Sequence, residues 1–258
     1  MAEARTAVVN RPAWIDLSSA DAAGSREFYS KLFGWNVEVN PDPQYGGYAL
    51  AKAAGHDVAG IGPKMDPNAP TAWNIYIGTT DAEELTKKVQ AAGGNVLMAP
   101  FDVGDQGKMA VFQDPTGAVI SAWQPAQMGG FHMGVANSFG WAELNSRGVQ
   151  KAIPFYEQVF GWKTKKSEMG EGVPDYYEFQ VGGESIAGGQ EMNQMVAPEV
   201  PSHWLAYFGV DDVDKSFKTA TGAGGRELVE PMDFPGGRFA ILQDPQGAVF
   251  GLLKMNPR

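Results

Sequence analysis

The segment FYSKLFGW at residues 28–35 returns as FYEQVFGW at 155–162, an offset of 127. QDPTGAV at 113–119 returns as QDPQGAV at 243–249, an offset of 130, and WNIYIGTTD at 73–81 is echoed by WLAYFGVDD at 204–212, an offset of 131. Three matches in one order at nearly one spacing identify a tandem duplication, so the fold must be one that a chain can build twice. With 258 residues, 43% of them hydrophobic, there is enough chain and enough apolar surface for two cores. The boundary falls in QPAQMGGFHMGVANSFG, residues 124–140, which is rich in Gly, Gln and Asn and has no sustained period. The expected division is a first domain over 1–125, a linker over 126–139 and a second domain over 140–258.

Within the first half, WIDLSS alternates as a strand does, and DAAGSREFYSKLFGW has helical spacing, with Asp21 as N-cap and Gly34 near the stop. Short strand-like runs follow near 36–40, 47–53 and 57–62, separated by Pro and Gly. The order then repeats: TAWNIYIGT is a strand, DAEELTKKVQAAGG a helix closed by two glycines, and NVLMAP, GKMAVFQD and GAVISAW are strands. HWLAYFGV, DVDKSFKTATGAGG, RELVEP, GRFAILQD and GAVFGLL follow the same plan in the second half. The fold class expected is α+β, with four βαβββ units.

Composition narrows the function. Lys plus Arg total 20 against 30 Asp plus Glu, a net charge of −10, and the basic residues are scattered; phosphate backbones and anionic lipid are therefore not expected partners. No run of 18 apolar residues exists, and MAEARTAVVN lacks the layout of a secretory signal, so a soluble cytoplasmic protein is expected. The absence of cysteine excludes disulfides, thiolate metal sites and cysteine nucleophiles. The patterns GxxxxGK[ST], GxGxxG after a strand, HExxH and GxSxG are all missing.

A strand, a helix containing FYxxxFGW, three further strands and a DPxG closing hairpin resemble the vicinal oxygen chelate superfamily, which includes glyoxalase I, bleomycin and fosfomycin resistance proteins and extradiol dioxygenases. The resemblance spans nearly residues 12–255. More narrowly, W-x-[DE]-L before each FY helix is similar to actinobacterial tandem glyoxalase-like proteins. It implies two cupped, incomplete barrels with helices outside and the ligand site inside.

The resemblance also implies where a metal enzyme of the superfamily would carry its ligands. One position lies fourteen residues before the FY pair, which is Trp14 in the first half and Trp141 in the second. The next falls on Asn74 and Leu205, and the position four residues after the DPxG glycine is Ser121 and Gly251. A Zn, Fe or Mn site needs several converging His or carboxylate ligands, which these positions do not supply. His56, in the turn AAGHD, and His132, in the linker, read as solvated loop residues; His203, two residues before Leu205, shares its strand face. No metal and no cofactor are expected.

Alternation puts Trp14 and Asp16 on one face of their strand and Ile15 and Leu17 on the other, with Trp141 and Glu143 matching them in the second half. Asn74 with Tyr76, Leu205 with Tyr207, and Ser121 with Trp123 join the same faces. Large aromatics with few polar atoms suit a small-molecule pocket. The two acids can orient a ligand, or serve structurally by bonding a backbone NH, a Tyr hydroxyl or an Arg. The expectation is metal-independent binding of a small, partly aromatic molecule for sequestration or tolerance of an antibiotic or metabolite. Alternatives are a glyoxalase-like lyase or isomerase, or an accessory oxygenation protein of secondary metabolism, using Asp16 or Glu143 as general base. A partner-binding scaffold is a third reading, and a homodimer is left open.

Overall fold

Each helix starts where the chain supplies an acceptor for its first unpaired amides. In the computed structural model, which describes residues 8–131, 134–167, 175–193 and 196–256, Asp21 caps α1 (Ala22–Phe33) by accepting from Gly24 N, and Gly34 closes it at φ 71°. Asp81 caps α2 (Ala82–Ala91), and Asp212 caps α4 (Val213–Gly222). The start of α3 (Val149–Phe160) has Gly148 at the cap, which offers no side chain. There Glu191 substitutes from a distance, its Oε2 accepting from Gly148 N at 3.0 Å and Val149 N at 2.8 Å.

The strands between them complete four β-α-β-β-β units. The first has β1 (Pro12–Ser19), then after α1 β2 (Asn36–Val39), β3 (Ala49–Ala53) and β4 (His56–Pro63). The second has β5 (Ala72–Gly78), then β6 (Asn95–Val103), β7 (Gly107–Gln113) and β8 (Val119–Pro125). The third has β9 (Ser138–Ser146), β10 (Lys163–Ser167), β11 (Tyr176–Val181) and β12 (Glu184–Glu191). The fourth has β13 (His203–Gly209), β14 (Arg226–Phe234), β15 (Gly237–Gln243) and β16 (Val249–Met255). A short 3-10 turn at Pro43–Tyr45, capped by Asp42, interrupts the β2–β3 connection. The strands form two open eight-stranded sheets, ordered β2-β3-β4-β1-β5-β8-β7-β6 and β10-β11-β12-β9-β13-β16-β15-β14. Each mixes parallel central pairs such as β1 with β4 and antiparallel hairpins such as β7 with β8. This is the expected α+β class.

Packing groups the chain into two compact units, each combining pieces of both halves. One contains Met1–Trp14, Ile75–Gly130 and Ala142–Trp204. Here α2 meets α3, and the Tyr156 hydroxyl donates to Asp114 Oδ2 at 2.8 Å while accepting from Trp204 Nε1 at 2.8 Å. Asp114 uses its other oxygen for Thr116 N at 2.7 Å and Ala118 N at 3.0 Å, which fixes the hairpin around Gly117 at φ 99°.

The other unit contains Ile15–Asn74, Phe131–Trp141 and Leu205–Arg258. It repeats the device: Tyr29 donates to Asp244 Oδ2 at 3.0 Å and accepts from Trp73 Nε1 at 2.9 Å. Around Tyr29, Phe28 and Phe33 pack on Phe208 and Phe250, with Phe33 and Phe208 centroids 4.9 Å apart. Phe28 and Phe155 are buried, as their helical spacing requires. The FYxxxFGW and QDPxGAV motifs thus meet in pairs, each helix tyrosine bonding the hairpin aspartate of the opposite half. Burial, reinforced by the neighbouring aspartate charge, pushes both phenols well above the ordinary tyrosine range, which keeps them neutral donors.

Candidate functional site

In the unit holding most of β1, alternation buries Ile15 and Leu17 and leaves Asp16 half-buried on the other face. Asp16 Oδ1 accepts from Asn74 Nδ2 at 2.9 Å, and the same amide reaches Ser18 Oγ at 3.0 Å. Tyr48 OH donates to Asp16 Oδ2 at 3.3 Å. The ring of Tyr48 gets there by lying across β4, where Gly60 pairs with Asp16. A Cβ on Gly60 would stand 1.8 Å from the Tyr48 hydroxyl oxygen, so only glycine leaves room for the phenol. The same unit contains an apolar group in which Trp141, Phe234 and Phe239 pack against Leu205, Tyr207 and Leu253. There the Tyr207 ring lies over Gly251, its partner across the parallel β13–β16 pair.

The unit holding most of β9 presents the second acid. Glu143, 8% exposed, takes hydrogen bonds on Oε1 from Gln190 Nε2 at 3.1 Å and Asn145 Nδ2 at 3.3 Å. Its partner on β12 is Gly188, and a Cβ there would stand 1.9 Å from the Tyr176 hydroxyl. Trp14, Tyr76, Ser121 and Trp123 are buried in this unit, Tyr76 pairing with Ser121 and Trp123 Nε1 donating to Met128 O at 3.1 Å. His203 opens β13, half-buried, with Nδ1 hydrogen-bonded to Pro201 O at 2.9 Å, a local strand-end contact. His56 is exposed at the β3–β4 turn, and His132 lies outside the described residues.

Sequence reasoning selected both acids, Asn74 and the aromatic positions, but not Ser18, Asn145, Gln190, Tyr48, Tyr176, Gly60 or Gly188. The duplication held a signal for the last four, since Tyr48 to Tyr176 and Gly60 to Gly188 are each 128 residues apart. Chemically, each acid is an acceptor flanked by amides and set beside a tyrosine, able to hold a donor group or to take a proton. A cleft of about 300 Å³ between Asp81, Glu84 and the C-terminal end of α3 contains none of the residues expected to bind a ligand.

The residues at the metal positions do not fit a transition metal. Trp14, Trp141, Leu205 and Gly251 offer no ligand atom, and the Asn74 amide is turned to Asp16 and Ser18. Among the described residues, no group of three or more His, Cys, Asp or Glu is placed to hold a metal ion. Nor, among them, is any helix long and apolar enough to cross a membrane.

The chain belongs to the Glyoxalase/Bleomycin resistance protein/Dioxygenase superfamily, whose model matches residues 11–121 and again 138–252. It is 40% identical over 258 residues to a Mycobacterium tuberculosis protein named "Putative glyoxylase CFP32", covering 96% of this chain and 95% of that one. It is 39% identical to the anthracycline biosynthesis protein DnrV of Streptomyces peucetius, covering 95% of this chain and 93% of that one. Among solved structures, the 2,3-dioxygenase LapB from Pseudomonas sp. KL28 shares the fold at a TM-score of 0.65 and 15% identity, over 97% of this chain and 94% of LapB. The Mn(II)-bound glyoxalase from Novosphingobium aromaticivorans does so at a TM-score of 0.64 and 16% identity, over 96% of this chain and 83% of its own.

Proposed function

We propose that the chain binds a small, partly aromatic organic molecule without a metal, in the sequestration or tolerance of an antibiotic or metabolite. The observation that carries this reading is the duplicated acid, Asp16 and Glu143, each standing two residues beyond a tryptophan at the superfamily's ligand position. Each is held by side-chain amides, and Trp14, Tyr76, Trp123 and Tyr207 supply buried aromatic surface. Apolar walls supply affinity and the few polar groups supply orientation. The proposed ligand-binding residues are Trp14, Tyr76, Ser121, Trp123, Glu143 and His203 in one unit and Asp16, Asn74, Trp141, Leu205 and Tyr207 in the other. A setting in secondary metabolism is supported by the relatives named for anthracycline biosynthesis, one of them 38% identical to this chain.

The test is a titration with planar polycyclic aromatics, read by tryptophan fluorescence and by the melting midpoint. A ligand at 100 times its dissociation constant adds about 2.7 kcal/mol of stability. Asp16→Asn and Glu143→Gln should weaken binding. A broad panel that neither quenches fluorescence nor shifts the midpoint would overturn the reading.

A second reading makes Asp16 or Glu143 a general base in a lyase or isomerase reaction. It is favoured by the Tyr48 hydroxyl 3.3 Å from Asp16 Oδ2, an acid–phenol pair suited to proton traffic. Turnover that falls with acid pH and is abolished by Asp16→Asn or Glu143→Gln while binding persists would support it. Turnover unchanged in both variants would exclude it.

A further inference from the structure

The acid–glycine–tyrosine arrangement occurs twice, as Asp16–Gly60–Tyr48 and Glu143–Gly188–Tyr176, in halves whose surroundings have diverged. At equivalent positions of the repeat Asn74 corresponds to Leu205, Ser121 to Gly251, Ser18 to Asn145 and Gly62 to Gln190. Within the trio only Asp has changed to Glu. Core packing does not explain this retention. The repeated core aromatics Phe28, Tyr29 and Trp35, with Phe155, Tyr156 and Trp162, are all buried, whereas Tyr48 and Tyr176 are half-buried. Glycine inside a strand weakens the strand and marks a close approach by another group. Here that group is the phenol itself, whose oxygen would meet a Cβ at 1.8 Å in one half and 1.9 Å in the other.

Tyr48 spends its proton on Asp16. A phenol that donates to a carboxylate keeps acceptor capacity on its oxygen, which matches an O–H or N–H on a ligand better than a bare carbonyl. Building on the aromatic-ligand reading above, we infer that Tyr48 and Tyr176 are ligand-contacting residues, Tyr48 held by Asp16 and seated over Gly60, Tyr176 seated over Gly188, the strand partner of Glu143. Their phenol oxygens accept a hydrogen bond from a hydroxylated planar molecule.

The experiment compares two probes, 2,6-dihydroxyanthraquinone and its 2,6-dimethoxy ether, on the full chain and on Tyr48→Phe, Tyr176→Phe and the double variant. Wild type should prefer the dihydroxy probe by about fivefold, the worth of one neutral hydrogen bond. The double variant should lose that preference while binding the dimethoxy probe as wild type does, and the single variants assign the preference to a half. Gly60→Ala keeps the Tyr48 hydroxyl but displaces it with its ring, so it should likewise lose the first half's share of the preference. A preference that survives in the double variant overturns the inference, and so does equal weakening of both probes. Equal binding of both probes by wild type leaves the pocket standing and removes the phenol's role. If neither probe binds wild type, the pocket reading fails and the inference fails with it.

Discussion

Replacing Tyr156 by Phe removes one oxygen atom and disturbs two buried partners. The Tyr156 hydroxyl donates to Asp114 Oδ2 and accepts from Trp204 Nε1, both at 2.8 Å, and Tyr156 has no exposed surface. Stranding the buried indole N–H costs about 1–3 kcal/mol, and losing a hydrogen bond to a charged acceptor about 1.5–3 kcal/mol. The total expected is roughly 3–5 kcal/mol, a large share of the ~5–15 kcal/mol that holds a domain folded. Equilibrium unfolding in urea measures it directly, as a fall in midpoint without a change in slope. Because Asp114 lies in the QDPTGAV hairpin and Tyr156 in the FYEQVFGW helix, the loss measures the bond between motifs of opposite halves. A double-mutant cycle with Asp114→Asn should show strong coupling, since the two groups share that bond. A loss below about 1 kcal/mol, or additivity in the cycle, would refute the claim that this bond holds helix and hairpin together.

Two further outcomes follow from the same packing. Burial raises the Asp244 carboxyl above its ordinary 3.8, its hydrogen bonds offsetting only part of the effect. The folded state therefore holds that proton to higher pH than the unfolded chain, and between the two values stability falls as pH rises. Asp244→Asn should flatten that slope in urea midpoints taken across mildly acidic pH, and an unchanged slope would assign it to other groups. Gly251→Ser gives the second half the residue of the first, but its Cβ would stand 2.0 Å from Tyr207 Cδ1. The displaced ring should cost about 1–3 kcal/mol by overpacking, and wild-type stability in this variant would contradict the ring's placement.

How much the sequence reveals depends on how local each determinant is. The cap at Asp21 and the stop at Gly34 are legible because their partners lie within a few residues, and Asp81 and Asp212 cap their helices in the same local way. The cap of α3 is not, since Glu191 stands 43 residues from Gly148. Alternation correctly puts Asn74 beside Asp16, because strand parity fixes the face. Pairing of each FY tyrosine with the aspartate of the opposite half could not be read, since it links residues 215 positions apart in one case and 42 in the other. Tyr48 and Tyr176 escaped for a different reason: each precedes or opens a strand in a dissimilar context, YAL against YYE, where no short motif draws the eye. Their placement emerges only when the ring, coming from two strands away, is seen to fill the space left by a glycine on the strand next to the acid.

The most direct test of metal-free ligand binding is a calorimetric titration of chelator-dialysed protein with 2,6-dihydroxyanthraquinone, repeated after adding back Zn, Mn or Fe(II). The account predicts saturable binding in the dialysed protein, with an affinity that the metals leave unchanged. Binding that disappears on dialysis and returns with one of the metals would contradict it.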